Sequence, residues 1–251
     1  MDILSLLGAL LAVVAIFLGQ TIEGGHFSSL INLPALLIVV GGSLGAIMVQ
    51  VPMETFKRAL RMLHWVIVPP ADSMLDTINK IVDWSDIARR KGILNLDQFV
   101  RSEPDSYTRK ALQLLIDGRD PIAIRSTLEV EIEVREDFDY VAAKVYEAMG
   151  GYTPTLGILG AVMGLIHVME NLAEPSSLGQ GIATAFVATV YGVGLANLFL
   201  IPISKKLTQI VYHQSREREM ILEGIICISQ GENPRNVSAR LKSYHRQSYG
   251  T

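Results

Sequence analysis

The chain has 251 residues, 49% of them hydrophobic, with a mean hydropathy of +0.33 and a formal net charge of -3. Such values fit a membrane protein with a substantial aqueous part, and the single cysteine, Cys227, excludes an internal disulfide and a four-cysteine zinc site. Its plain reading is a small buried side chain.

The distribution of charge says more than its sum. All 22 Lys and Arg residues lie within 54–148 or 204–251, and none lies in the four apolar runs or in the short connections 21–32 and 170–180. By the positive-inside rule the two basic segments are cytoplasmic and the two connections face outward.

In chain order, Ile3 to Gly19 is apolar over the length of a marginal span. It lacks a basic leader, and TIEGGH offers no small-residue cleavage site, so it reads as a retained helix. A second span runs from about Leu33 to Met53, and the basic cluster Lys57, Arg58 and Arg61 places its end in the cytoplasm. Two spans, out and back, leave the amino terminus on the same side.

From Glu54 to Ala148 the chain carries 17 acidic and 14 basic residues at helical spacing. Ala59, Leu63 and Val66 are expected to continue a helix beyond the membrane until Pro69-Pro70 stops it. Met74, Ile78, Ile81 and Val82 form the next stripe, with Gly92 as its C-cap after Arg89, Arg90 and Lys91. Shorter helices are expected over 94–102, 106–117 and 121–132, punctuated by Gly118 and Pro121. A long helix around 122–149 then leads into the third span.

The third and fourth spans, Tyr152 to Met169 and Gly181 to Ile203, contain no Lys, Arg, Asp or Glu. Both are rich in small residues, among them Gly157, Gly160, Gly164, Ala185, Ala188 and Gly192, which in lipid permit close backbone approach. The helix continues past Pro202 into the cytoplasm until Gly231 and Pro234 end it. The fold class is therefore an all-α membrane protein, four transmembrane helices with a helical cytoplasmic domain. Its divisions are 1–53 for the first two spans, 54–148 for a cytoplasmic helical region, 149–203 for spans three and four, and 204–251 for a cytoplasmic helix and tail.

No nucleotide-binding or hydrolase motif, nucleophile arrangement or metal-ligand cluster is visible, so the chain reads as no enzyme, with no cofactor, no metal and no nucleic-acid partner. An ion carrier usually keeps an ionisable residue at membrane depth. Here there is none, so either hydroxyls and backbone groups conduct, or another subunit supplies the carboxylate. His167 and Glu170 lie near the outer end of the third span, where solvated interface residues are the simpler account. Trp65 and Trp84 read as packing or interfacial anchors.

The stretches YTPTLGILGAVMGLIHVM, ATVYGVGLANLFLIPISKKL and LEGIICISQGENPR, with PALLIVVGGSLGA and ARRKGILNLD, resemble the flagellar motor stator A-subunit family, MotA and PomA, in a MotC-like form. That resemblance covers essentially the whole chain. It implies a subunit of the bacterial inner membrane with both termini cytoplasmic, forming a pentamer around a B-type subunit (MotB, PomB or MotD-like) that carries the ion-binding Asp. Inward ion flow would then turn the A ring and act on the rotor protein FliG, with 149–203 as ion path and pentamer core.

Carried over by position, Pro154 and Pro202 match the family's two coupling prolines, and each lacks the N–H that an internal helical bond needs. Thr189 matches a pore-facing threonine, although a membrane threonine often bonds back to its own helix. Ala161 and Ala188 stand where sodium-driven relatives have hydroxyls, and losing oxygen ligands disfavours Na⁺, which points to proton drive. Arg89 and Asp97, with Arg90 and Lys91 beside them, match the rotor-facing charges. The alternative is an ExbB- or TolQ-like energiser, against which the two amino-terminal spans count; a self-contained channel lacks the membrane-depth charge it would need.

Overall fold

The computed structural model describes residues 3–25, 27–70, 74–171 and 175–249, and among these the regular structure is entirely helical. Among the described residues, four helices are long and apolar enough to cross a membrane: Ile3–Ile22, Leu33–Gln50, Pro121–Glu170 and Leu178–Ser229. The chain forms two compact units, one from Met1–Pro69 with Asp139–Gln209, the other from Pro70–Phe138 with Ile210–Thr251.

In the first unit, α1 (Ile3–Ile22) has no buried residue, as suits an apolar rod that packs little on its own chain. The second span opens at Asn32, whose side chain accepts a hydrogen bond from the Ala35 N–H, with Pro34 in the first turn. It consists of α2 (Leu33–Leu36), a π-helical turn (Leu37–Gly41) and α3 (Gly42–Gln50). The expected continuous helix past Met53 does not form. Val51 is extended at φ -117°, ψ 148°, because the Pro52 ring disfavours helical geometry in the residue before it. A separate amphipathic helix, α4 (Met53–Met62), follows and passes into a 3-10 turn, Leu63–Val66.

Helix α4 buries Thr55, Ala59 and Met62 on one face. Two polar ties fix it to α8 (Pro121–Glu170). Arg58 holds Asp139 through two parallel bonds, Nε–Oδ1 at 2.6 Å and an Nη–Oδ2 bond at 2.8 Å, and the Tyr146 hydroxyl donates to the Ala59 carbonyl at 2.9 Å. Asp139 is buried, so the bidentate guanidinium answers a charge that water does not reach. The same guanidinium lies 5.0 Å from the centre of the Trp65 ring.

The expected separate helix over 121–132 is instead the start of α8, a single helix of 50 residues. Nothing between Pro121 and Met149 breaks it, and the later Gly150 sits in a tight spot, where a Cβ would lie 2.9 Å from Ile201 Cγ1.

The second unit is built on α5 (Met74–Lys91), α6 (Asp97–Ser102), α7 (Ser106–Ile116), the start of α8, the end of α10 (Ile201–Ser229) and α11 (Pro234–Tyr249). Ile78, Ile81, Trp84, Leu112, Leu128 and Ile225 share one core, each such side chain contributing about 1.5–3 kcal/mol on burial. Asp105 caps α7, accepting from the Thr108 N–H at 2.8 Å and hydroxyl at 2.6 Å. Burial pushes its carboxyl up, but those bonds, the Tyr107 N–H and the Arg218 charge outweigh burial and hold it below the usual carboxylate range. Beyond Gly231, at φ +70°, the expected tail is helical: Asn233 accepts from the Arg235 N–H, and Pro234 starts α11 rather than merely ending α10.

Candidate functional site

Between Gly150 and Ile166, and between Pro175 and Ser204, the sequence holds no Asp, Glu, Lys, Arg or His. What the two spans offer each other is backbone. A Cβ added at Gly157 would lie 2.8 Å from the Ala188 carbonyl oxygen and 3.2 Å from Gly192 Cα. One at Gly164 would lie 2.8 Å from the Gly181 oxygen, and one at Gly192 2.6 Å from the Thr153 oxygen. Helices α8 and α9 (Pro175–Gly194) therefore touch main chain to main chain over several turns, which only glycine permits in lipid.

At one end of this pair a polar network ties in the second span. The Asn32 amide donates to the Thr184 hydroxyl at 2.9 Å, and the Tyr191 hydroxyl bonds the Leu30 carbonyl and receives the Asn32 N–H at 3.3 Å. Little in the sequence marks this network. Its one legible signal was Asn32 before Leu33-Pro34, a helix-start pattern. Nor did any local pattern mark Asp139 as the partner of Arg58.

The residues singled out from the sequence fall in different places on this frame. Pro154 lies inside α8 and half-buried, its Cα facing Gly192. Pro202 is exposed, in the first turn of α10, directly after a π-helical turn over Leu195–Leu200. The missing Pro202 N–H and the widened turn loosen the same stretch of the fourth span. Ala188 is fully buried, its methyl against Gly160 and its side among Ala35, Val39 and Val187. Its neighbour Thr189 is exposed, with the hydroxyl donating back to the Ala185 carbonyl at 3.2 Å. Ala161 is half-buried on α8. Pro154, Ala188 and Thr189 are thus brought to the α8–α9 contact, while Pro202 is set further along the chain.

In the second unit, Arg89, Arg90 and Lys91 are exposed in the last turn of α5. Arg90 pairs with Asp86 at 3.0 Å, and Asp97, opening α6, pairs with Arg101 at 3.7 Å. Gly92 joins them at φ +88°, and the Asn95 amide closes the turn on the carbonyls of Lys91 and Gly92. Behind it Leu96 is fully buried and anchors the corner that carries these charges.

Two family models match the chain: the MotA/TolQ/ExbB proton channel family over residues 100–220, and the motility protein A N-terminal model over 6–92. The chain is 35% identical over 244 residues to motility protein A of Helicobacter pylori, covering 97% of this chain and 95% of that one. It is 30% identical to the chemotaxis protein PomA of Vibrio alginolyticus, with the same two coverages. Among solved structures, C. jejuni MotAB matches with a TM-score of 0.92 at 31% identity over 97% of this chain and 96% of that one. The flagellar MotAB stator complex of Bacillus subtilis matches at 0.86 and 29% over 98% of each.

Proposed function

The chain belongs to the MotA family of motility proteins, and from that premise we propose that it is the A-type subunit of a flagellar stator. With a B-type partner it couples inward proton flow across the bacterial inner membrane to torque on the rotor protein FliG. The observation that carries this reading is the full-length likeness to two MotAB structures, joined to a close-packed span pair with no carboxylate of its own. The ion-binding Asp comes from the B subunit, around which five copies assemble. The family is one of channel and motility proteins rather than of enzymes.

Residues 1–53 and 149–203 hold the four spans; 54–148, 204–251 and both termini are cytoplasmic, a placement supported by the basic residues confined to 54–148 and 204–251. The partner's Asp works beside α8 and α9, and Pro154 within α8 and Pro202 at the start of α10 supply the yielding points. Ala161 and Ala188 withhold the oxygen ligands Na⁺ needs, and Thr189 borders the path with its hydroxyl already spent on Ala185. Arg89, Arg90, Lys91 and Asp97 form the rotor face, whose exposed charges suit fast and reversible engagement. The motility protein A match over 6–92 favours the stator over an ExbB- or TolQ-like energiser.

Swimming speed tests this in cells whose only stator is this chain with its B partner. Loss of motility with a protonophore and indifference to external sodium are expected. Speed that follows sodium would overturn the ion assignment, and immobility with the complex present in the membrane would overturn the stator reading.

A further inference from the structure

A cavity of about 540 Å³ opens between α1 and the Pro202 region, within the first unit. Its walls are mostly carbon, with Gly8, Ala9 and Ala12 from α1, Leu198, Phe199 and Pro202 from the fourth span, and Leu63, Val66 and Ile67 completing the lining. At one end the Lys206 ammonium donates to the Ser5 hydroxyl and, at 2.7 Å, to the Val66 carbonyl, with Lys205 exposed beside it. We propose that this cleft is a phospholipid site: one acyl chain lies between α1 and the Pro202 turn, and the anionic phosphate sits at the Lys206 end.

Three observations support that occupant. The α1 and Pro202 sides belong to helices apolar enough to cross a membrane, so the medium beside them is hydrocarbon, and apolar side chains facing one another across such a gap gain dispersion contacts from an acyl chain. Its volume lies in the range of pockets that hold one small ligand, roughly 300–1,000 Å³. Charge also fits, since the spans carry no Lys or Arg until Lys205 and Lys206, which stand where a cytoplasmic-leaflet phosphate would lie. A chain seated there would press on Pro202, at the loosened stretch of the fourth span.

Gly8 supplies the probe. Gly8 lines the cleft and a Cβ added there meets nothing within 4 Å, so Gly8→Leu adds bulk at the cleft wall, and Ala9→Leu is a second filler should the first prevent insertion. The full chain is reconstituted into vesicles of phosphatidylethanolamine and phosphatidylglycerol containing a trace of phosphatidylglycerol with a photoactivatable group midway along one acyl chain. Illumination is expected to label peptides holding residues 5–12 and 198–206, and labelling is expected to be lost in the inserted filler variants. Replacing phosphatidylglycerol, tracer included, by phosphatidylcholine is expected to cut it several-fold, and Lys206→Gln to abolish that preference. Labelling spread evenly over all lipid-facing segments, undiminished labelling in the fillers, or a cysteine at position 8 that cross-links to a neighbouring copy would each overturn the proposal.

Discussion

The main-chain contact between α8 and α9 leaves least room at Gly192. A Cβ built there lies 2.6 Å from the Thr153 carbonyl oxygen, 3.1 Å from Gly157 Cα and 3.2 Å from Pro154 Cα, all main-chain atoms that no rotamer change can move aside. Ordinary contact begins near 3.4 Å, so Gly192→Ala must separate the helices by about 0.8 Å (3.4 - 2.6) along that line. Overpacking of this kind costs about 1–3 kcal/mol. The substitution also carries a helix-propensity gain of up to about 1 kcal/mol, which Gly45→Ala reports alone because a Cβ at Gly45 meets nothing within 4 Å. The assay is the melting temperature of the purified protein, Gly192→Ala against Gly45→Ala. At roughly 2–4 °C per kcal/mol for a chain of this size, Gly192→Ala should melt about 2–12 °C below the control. Gly157→Ala strains the same contact from the other side, so the double variant should lose less than the sum, with a coupling on the order of 0.5–3 kcal/mol. Equal melting of Gly192→Ala and Gly45→Ala would refute main-chain contact as the basis of the pair.

Further outcomes follow from single contacts. Arg58→Ala leaves Asp139 buried and unpaired and should cost on the order of 3 kcal/mol, seen as reduced accumulation in membranes and easier proteolysis; Asp139→Asn, which buries no charge, should cost less. Ala188→Thr must place extra atoms against Gly160 and should lower the melting temperature, whereas Ala161→Thr should leave it nearly unchanged. Asp105→Ala removes the α7 cap and should cost about 1 kcal/mol in a denaturant titration near neutral pH. The Asp105 carboxyl is held below its unfolded value of about 3.9, so its contribution is complete above that pH and is lost as pH falls through the lower folded value. Asp105→Asn should flatten that acid limb of the stability curve; an unchanged limb would show that the cap does not carry it.

Local chemistry made much of this molecule legible in one dimension. Four apolar stretches of spanning length, the glycines at 92 and 231 that accept positive φ, and the absence of charge from the third and fourth spans need no knowledge of the rest of the chain. Even the break at Pro52 is a local signal, since the residue before a proline avoids helix. Other features exist only where distant segments meet. Arg58 finds Asp139 across 81 residues and Asn32 finds Thr184 across 152, and each of these polar groups reads alone as solvated or as a simple cap. The different surroundings of Ala188 and Thr189 show the reason most plainly. Consecutive residues point about 100° apart on a helix, so the sequence sets the angle between them, but only the position of α8 and of the second span decides that Ala188 is sealed in packing while Thr189 faces out.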